Sequence, residues 1–255
     1  MQLARCQSTQ TDLQDWAVFA DCHWELPLVS IALYLVFVAY APARMWLPRW
    51  LLIAWNMFLA FGSAVGFGIC LPTLLHIVQR GRWYAVCSGP EAYQCGWVGT
   101  AIAAFTVSKI LELGDTVFLR WRNRPVIFLH WYHHATVLLF CWHAFAVRTG
   151  VAGLWFATVN MGIHALMYSY YACMAACAHC GLRKVAPLLT AMQIAQMFVG
   201  ASILALGRFL QGRGLPCSLP ASVVASGGAM YVTYAALFGL FFYRAYCVPK
   251  KPKRA

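Results

Sequence analysis

The sequence predicts an all-α, polytopic membrane protein in which seven transmembrane helices enclose a polar chamber. Three observations predict it. Hydrophobic residues make up 62% of the chain and charged residues only 10%, well outside the composition of a soluble domain. Apolar runs long enough to cross the ~30 Å hydrocarbon core recur along its length. The few acids and histidines inside those runs fall at helical spacing.

Taken in order, residues 1–26 are a polar segment that carries Asp12, Asp15, Asp21 and Glu25, four of the seven acids. It lacks a basic start followed by an apolar run, so a cleavable signal peptide is not expected. The spans then fall at 27–47, 50–77, 96–119, 126–147, 150–176, 185–207 and 221–247. Arg-rich or Gly/Pro-containing joints part them: Arg44 to Arg49, Arg120 to Pro125, Gly181 to Lys184, and Gly212 to Pro220. Residues 248–255 form a short basic tail. No linker or internal repeat divides the chain, so 1–255 reads as a single integral membrane domain.

An odd number of spans puts the two termini on opposite sides, and the Lys/Arg bias decides which. Alternate joints hold Arg44, Arg49, Arg120, Arg122, Arg124, Arg183, Lys184, Arg244 and the tail lysines and arginine. The other set holds half as many, Arg5, Arg80, Arg82, Arg148, Arg208 and Arg213. The richer set, with the C-terminus, is expected in the cytosol, and the N-terminus in the lumen. The net charge of +12 is then topogenic, and no nucleic-acid partner is expected. Cys87, Cys95 and Cys217 share the oxidising side. A Cys87–Cys217 bridge is expected, with Cys95 as the competing partner and free loop thiols as the alternative. The tail, with Lys251 and Lys253, resembles the dilysine retrieval signal of endoplasmic reticulum membrane proteins. Its alternative is an ordinary basic juxtamembrane cluster.

Ionisable groups inside a span are costly and mark function. Span three carries Lys109, Glu112 and Asp115, with Lys109 and Glu112 able to pair at i, i+3. Span four carries His130, His133 and His134 on one helical face. Span five aligns Asn160, His164, Tyr168 and Tyr171, and span six aligns Thr190, Gln193 and Gln196. At ~1.5 Å per residue, these groups lie between the cytosolic end and the midplane of their helices. The remainder of the same helices is apolar. The pattern predicts a chamber open to the cytosol, continued by a blind apolar tunnel that suits a lipid chain with a charged head. His23, His76 and His143 sit near span ends. Cys173, Cys177, His179 and Cys180 look superficially like a zinc set but straddle the end of span five, and no metal site is expected.

His130-Trp131-Tyr132-His133-His134 resembles the histidine box of the ELO family of membrane fatty acid elongases. Lys109-Ile110-Leu111-Glu112-Leu113-Gly114-Asp115-Thr116 is similar to that family's Lys-x-x-Glu-x-x-Asp-Thr motif. Asn160 to Tyr171 resembles its Asn-x-x-x-His-x-x-Met-Tyr-x-Tyr-Tyr motif, and Thr190 to Gln196 its Thr-x-x-Gln-x-x-Gln motif. Four motifs agree in order and spacing across the middle third of the chain. The resemblance implies a decarboxylative condensation of a long-chain acyl-CoA with malonyl-CoA to a 3-oxoacyl-CoA, CoA and carbon dioxide, with no bound cofactor.

It implies His133 as nucleophile, through an acyl-imidazole, and His164 as its activator or partner in the site. His130 and His134 would orient the malonyl group or stabilise its enolate. Lys109, Asn160, Tyr168 and Gln193 would hold oxyanions and carboxylate. Glu112 and Asp115 would fix Lys109 and the histidines. Arg120, Arg122 and Arg124 would meet the CoA phosphates, although Arg120 to Pro125 is richer in arginine than the family's loop. Trp131-Tyr132 resembles the branch acting on saturated and monounsaturated chains. The reductases and dehydratase of an elongation cycle are implied partners in the bilayer, and a homodimer is left open. Two other readings stand beside this one. A di-iron desaturase or hydroxylase needs roughly eight convergent ligands, where the chain offers four histidines. A proton-coupled transporter would show repeat symmetry or paired broken helices.

Overall fold

The computed structural model describes residues 11–41, 47–93, 96–177 and 181–249, with the side chains of 11–15 and of residue 92 left aside. Lys251, Lys253, Cys95, His179 and Cys180 lie outside the described residues. All ordered elements among them are helical: α1 Thr11–Cys22, α2 Glu25–Tyr40, α3 Arg49–Gln79, α4 Tyr84–Cys87, α5 Trp97–Glu112, α6 Asp115–Trp121, α7 Phe128–Ala146, α8 Val151–Ala176, α9 Ala186–Gly212 and α10 Ala221–Phe242.

Prolines set several starts. Pro48 and Pro220 precede α3 and α10 in extended conformation, and Pro187 sits in the first turn of α9, where its missing N–H has no helical acceptor anyway. Gly181, with φ of 67°, ends the α8–α9 connection in the left-handed region. A π-helical turn, Tyr243–Cys247, continues α10.

Among the described residues, each predicted span is helical over most of its length, with two corrections. Span three is not one helix: the chain turns at Leu113–Gly114, which separates α5 from α6. Residues 11–22, which the sequence alone places only in a polar N-terminal segment, form α1. The indole of Trp142 on α7 anchors α1 by donating to the Ala20 carbonyl at 2.8 Å, and both residues are buried. Among the described residues, four helical units are by themselves long and apolar enough to cross a membrane, and a fifth if Trp16–Cys22 of α1 and α2, bent by 59°, form one span. The expected count of seven is not reached on that criterion. α5 and α6 are each too short, and α7 spends four of its 19 positions on histidine.

Helix neighbours close into a ring, α3–α5–α7–α10–α9–α8 and back to α3, with α1 and α2 packed outside against α7. α3 and α8 pack along most of their length. Gly162 permits it: a Cβ there would lie 2.9 Å from the ring of Phe67. Arg49 caps the C-terminal end of α8 by donating to the carbonyls of Ala175 and Ala176. The ring is polar within and apolar without. Phe61 on α3 and Val232 on α10 are 71% and 69% exposed, whereas Lys109 is 2% exposed. Water-facing proteins show the reverse, and lipid accepts such a surface.

The end of the bundle remote from the histidines is cross-tied. Cys87 and Cys217 form a disulfide across 130 residues of sequence. Beside it, Ser218 N–H donates to the Cys87 carbonyl, Gly150 N–H to the Ser218 carbonyl and Val151 N–H to the Ser88 carbonyl, each at 3.0 Å. Three connections that are distant in sequence thereby satisfy one another's backbone.

Candidate active site

The ring encloses a cavity of about 510 Å³, within the ~300–1,000 Å³ range of small-molecule sites. His130, His133 and His134 reach it from α7, and Asn160, His164, Tyr168 and Tyr171 from α8. Gln193 and Gln196 reach it from α9, Asp115 from the start of α6 and Arg122 from just past its end. The α5–α6 turn places Asp115 in the lining and leaves Lys109 and Glu112 buried behind it. On α5, Lys109 and Glu112 face the interior one turn apart. The turn then re-aims Asp115 toward α3 and α8. Gly114 allows it, because a Cβ there would lie 3.0 Å from the Trp55 ring.

Two carboxylates, which the sequence alone groups with Lys109, are held in different ways. Lys109 Nζ donates to both Glu112 oxygens, at 2.8 and 3.1 Å, and to Asn160 Oδ1 at 2.9 Å; it also lies 4.2 Å from the centre of the Phe105 ring. Ser108 adds a bond to Glu112 Oε1 at 3.1 Å. Asp115 is instead clamped by Trp55 Nε1 and the Tyr168 hydroxyl, both at 2.7 Å. A buried carboxylate needs partners for its oxygens: Glu112 has an ion pair with Lys109, and Asp115 has two neutral hydrogen-bond donors.

The histidines have distinct surroundings. His130 and His134 lie with ring centres 4.4 Å apart, and His133 and His134 with centres 5.4 Å apart. His133 packs against the Tyr234 and Phe238 rings of α10, at 4.9 and 6.0 Å. Tyr234 also ties its helix to α7, donating to the His133 carbonyl at 3.1 Å. His130 Nε2 is 2.8 Å from Thr116 Oγ1. His164 Nδ1 is buried and has no hydrogen-bond partner among the described residues; it lies 3.6 Å from Glu112 Oε2, beyond bonding distance. A neutral imidazole with an unengaged nitrogen in a shielded cavity is equipped to attack or to take a proton. Among the described residues, no group of three His, Cys, Asp or Glu side chains converges as a metal site would require.

Two expectations need correction. Arg120 does not line the mouth: its guanidinium donates to the Val38 carbonyl on α2, so it secures α6 to α2. Arg122 does line the cavity, and Arg122, Arg124 and Arg183 surround an adjoining open pocket. The tunnel is also not continuous. A separate apolar pocket of about 40 Å³ lies toward the disulfide end, lined by Ile102, Phe105, Phe140, Phe145 and Phe156, with Gly153 and Thr149. Between the two cavities, the helix positions Lys109, Glu112, Val137, Leu138 and Thr158 are all buried.

The sequence reading assigned no role to Trp55, Ser108, Thr116, Tyr234 or Arg183. Trp55 and Tyr234 read as ordinary aromatics in apolar spans, and their single polar atoms become informative only opposite a partner.

The family model of the GNS1/SUR4 (ELO) family matches residues 19–254. The chain is 40% identical to a protein named fatty acid elongase 3 of Trypanosoma cruzi (strain CL Brener), covering 89% of this chain and 86% of that one. It is 34% identical to fatty acid elongase 3 of Trypanosoma brucei brucei (strain 927/4 GUTat10.1), over 94% of this chain and 89% of the relative. It is 38% identical to very long chain fatty acid elongase 6 of Drosophila melanogaster, over 78% and 63%. A match over nearly the whole chain, with the four motifs meeting at one cavity, makes this protein a member of the GNS1/SUR4 (ELO) family.

Proposed function

We propose that this protein is a condensing enzyme of fatty acid elongation, a 3-oxoacyl-CoA synthase that joins a long-chain acyl-CoA to malonyl-CoA. The observation that carries the reading is the shielded cavity on which His130, His133, His134 and His164 converge. His133 attacks the thioester carbonyl, the carbon–sulfur bond breaks, and CoA leaves with a proton as the free thiol. The resulting acyl-imidazole keeps the acyl group reactive. Malonyl-CoA then loses carbon dioxide, and its enolate carbon attacks the acyl carbon. The carbon–nitrogen bond breaks, its electron pair returns to His133, and one proton taken up from solvent replaces the ring proton that left with CoA and restores the neutral imidazole. His164 shares the site with His133 and takes part in its activation. Lys109, Asn160 and Gln193 supply donors for carboxylate and oxyanion, and Glu112 and Asp115 hold the framework. The scheme uses the two CoA thioesters as substrates and needs no bound cofactor.

Arg122 and Arg124, with Arg183 beside them, suit the phosphates of CoA at the cavity mouth. The disulfide at the opposite end supports an oxidising lumen there. That matches the charge bias, with the N-terminus lumenal and the C-terminus cytosolic in the endoplasmic reticulum membrane. Trp131-Tyr132 favours saturated and monounsaturated chains. A 3-oxoacyl product requires reduction and dehydration, so partners performing those steps are expected in the same membrane.

The test uses purified protein with labelled malonyl-CoA and saturated, monounsaturated and polyunsaturated acyl-CoAs. Labelled 3-oxoacyl product from the wild type, and none from His133→Ala, is expected. Acyl-CoA alone should leave a covalent acyl mass on the wild type only. Full activity in His133→Ala would remove the acyl-imidazole, and no product from any acyl-CoA would remove the condensing reading.

A further inference from the structure

Tyr34 and Thr116 touch the histidine cluster without a role in the reaction so far. The Tyr34 hydroxyl on α2 is 3.0 Å from Thr116 Oγ1 on α6, and that oxygen is 2.8 Å from His130 Nε2 on α7. Tyr34 is 5% exposed and Thr116 is fully buried, so solvent does not compete for either hydroxyl. Three helices each contribute one member to a chain of hydrogen bonds ending on a ring nitrogen of a cavity-lining histidine.

Each hydroxyl owns one hydrogen and can accept two; if Thr116 accepted from both neighbours, its own hydrogen would meet no acceptor among the described residues, which leaves two directions for the chain. In one, His130 Nε2–H donates to Thr116, and Thr116 donates to Tyr34. The phenolic hydrogen then has no acceptor among the described residues, and a buried donor left unmade bears its full desolvation penalty. In the other, Tyr34 donates to Thr116 and Thr116 donates to His130 Nε2. Both hydroxyl hydrogens are used, and successive bonds polarise one another in the same sense.

We propose that Tyr34 and Thr116 are positioning residues that hold His130 as the Nδ1–H tautomer, making it a hydrogen-bond donor to the enolate oxygen of the condensation. The proposal rests on the condensing-enzyme reading. With Nε2 engaged and Nδ1 protonated, the neutral ring has no lone pair free to attack or to take a proton. It can only donate. When the malonyl carbon–carboxylate bond breaks, its electron pair moves onto the thioester carbonyl oxygen. A fixed N–H aimed at that oxygen stabilises the charge where it develops. The two nearby rings therefore divide the work: His133 forms and breaks the bond to the acyl carbon, and His130 steadies the enolate.

The test reads the tautomer and the kinetics of the same full-length protein. The ring-nitrogen resonances of 15N-histidine-labelled protein report which nitrogen carries hydrogen, with His130 assigned by the signal lost in His130→Ala. Nδ1–H is expected in the wild type and in Thr116→Ser. Tyr34→Phe and Thr116→Val should populate the Nε2–H form. Thr116→Val should lower kcat about 100-fold with KM for acyl-CoA within about threefold, Tyr34→Phe should lower kcat about tenfold, and Thr116→Ser should stay within about threefold of wild type. An Nε2–H wild type overturns the proposal, even if no variant folds. So does a tautomer unchanged in both variants, or a kcat loss in Thr116→Val that serine does not rescue. Absence of 3-oxoacyl product from the wild type would count against the condensing reading instead, and the tautomer would still be measured.

Discussion

Lys109→Met isolates what the buried ion pair contributes. In the native protein, Lys109 is 2% and Glu112 3% exposed, and Lys109 Nζ donates to both Glu112 oxygens and to Asn160. Methionine keeps most of the volume and removes the charge. Glu112 is then a buried carboxylate whose remaining side-chain donor among the described residues is the Ser108 hydroxyl at 3.1 Å. Removing one partner of such a pair costs about 3–5 kcal/mol. For a chain of this size, that corresponds to a fall of about 10 °C in apparent unfolding temperature. Lys109→Met with Glu112→Leu removes both charges, and most of the loss should return. What stays lost is the bond to Asn160 and the bond from Ser108, about 1 kcal/mol each. The assay pairs thermal unfolding of detergent-purified protein with the condensation reaction. The double variant should regain stability but not activity, because Asn160 in the cavity lining loses the ammonium that holds its amide. A single variant within about 2 °C of wild type, or a double variant as unstable as the single, would refute the argument.

Three further outcomes follow from other parts of the fold. Cys87→Ser with Cys217→Ser should lower stability by about 5 kcal/mol from the 130-residue loop it releases, and reductant should then have no further effect on unfolding. Gly153→Ala should leave the longest acyl chain elongated unchanged. Its Cβ meets Thr149 and the Tyr93 hydroxyl at ordinary distances of 3.5 and 3.6 Å, so the helix tolerates it, and the pocket of about 40 Å³ that it narrows is closed off from the chamber; a shortened product profile from a chain-length series would show that the acyl chain does reach that pocket. Trp55→Phe removes the 2.7 Å bond to Asp115, together with the Cζ2–Cη2 edge that packs over Gly114. It should cost about 1–3 kcal/mol in thermal unfolding, and no loss would show that Tyr168 alone satisfies Asp115.

Much of the site was legible before any coordinates. Glu112, His130, His133, His134, Asn160, His164, Tyr168 and Gln193 stand out because ionisable and polar side chains at helical spacing have few reasons to sit in apolar spans. Trp55 and Tyr234 gave no such signal, since an aromatic ring in a membrane helix is ordinary and its one donor points somewhere only in three dimensions. Arg120 misled for the opposite reason: a guanidinium beside other arginines reads as a phosphate contact, and only the approach of α2 reveals the Val38 carbonyl that it serves.

By itself, the sequence determined the helical class, the apolar outer surface, the four motifs and the candidate disulfide, because these follow from composition, periodicity and which groups share a side of the membrane. Tertiary structure decided the rest. Helix neighbours close the ring, and the turn at Leu113–Gly114 sends Asp115 to Trp55 and Tyr168. Packing at the buried midsection keeps the apolar pocket apart from the chamber. Each of these depends on which side chains meet across helices more than fifty residues apart, and local sequence pattern carries no information about the partner.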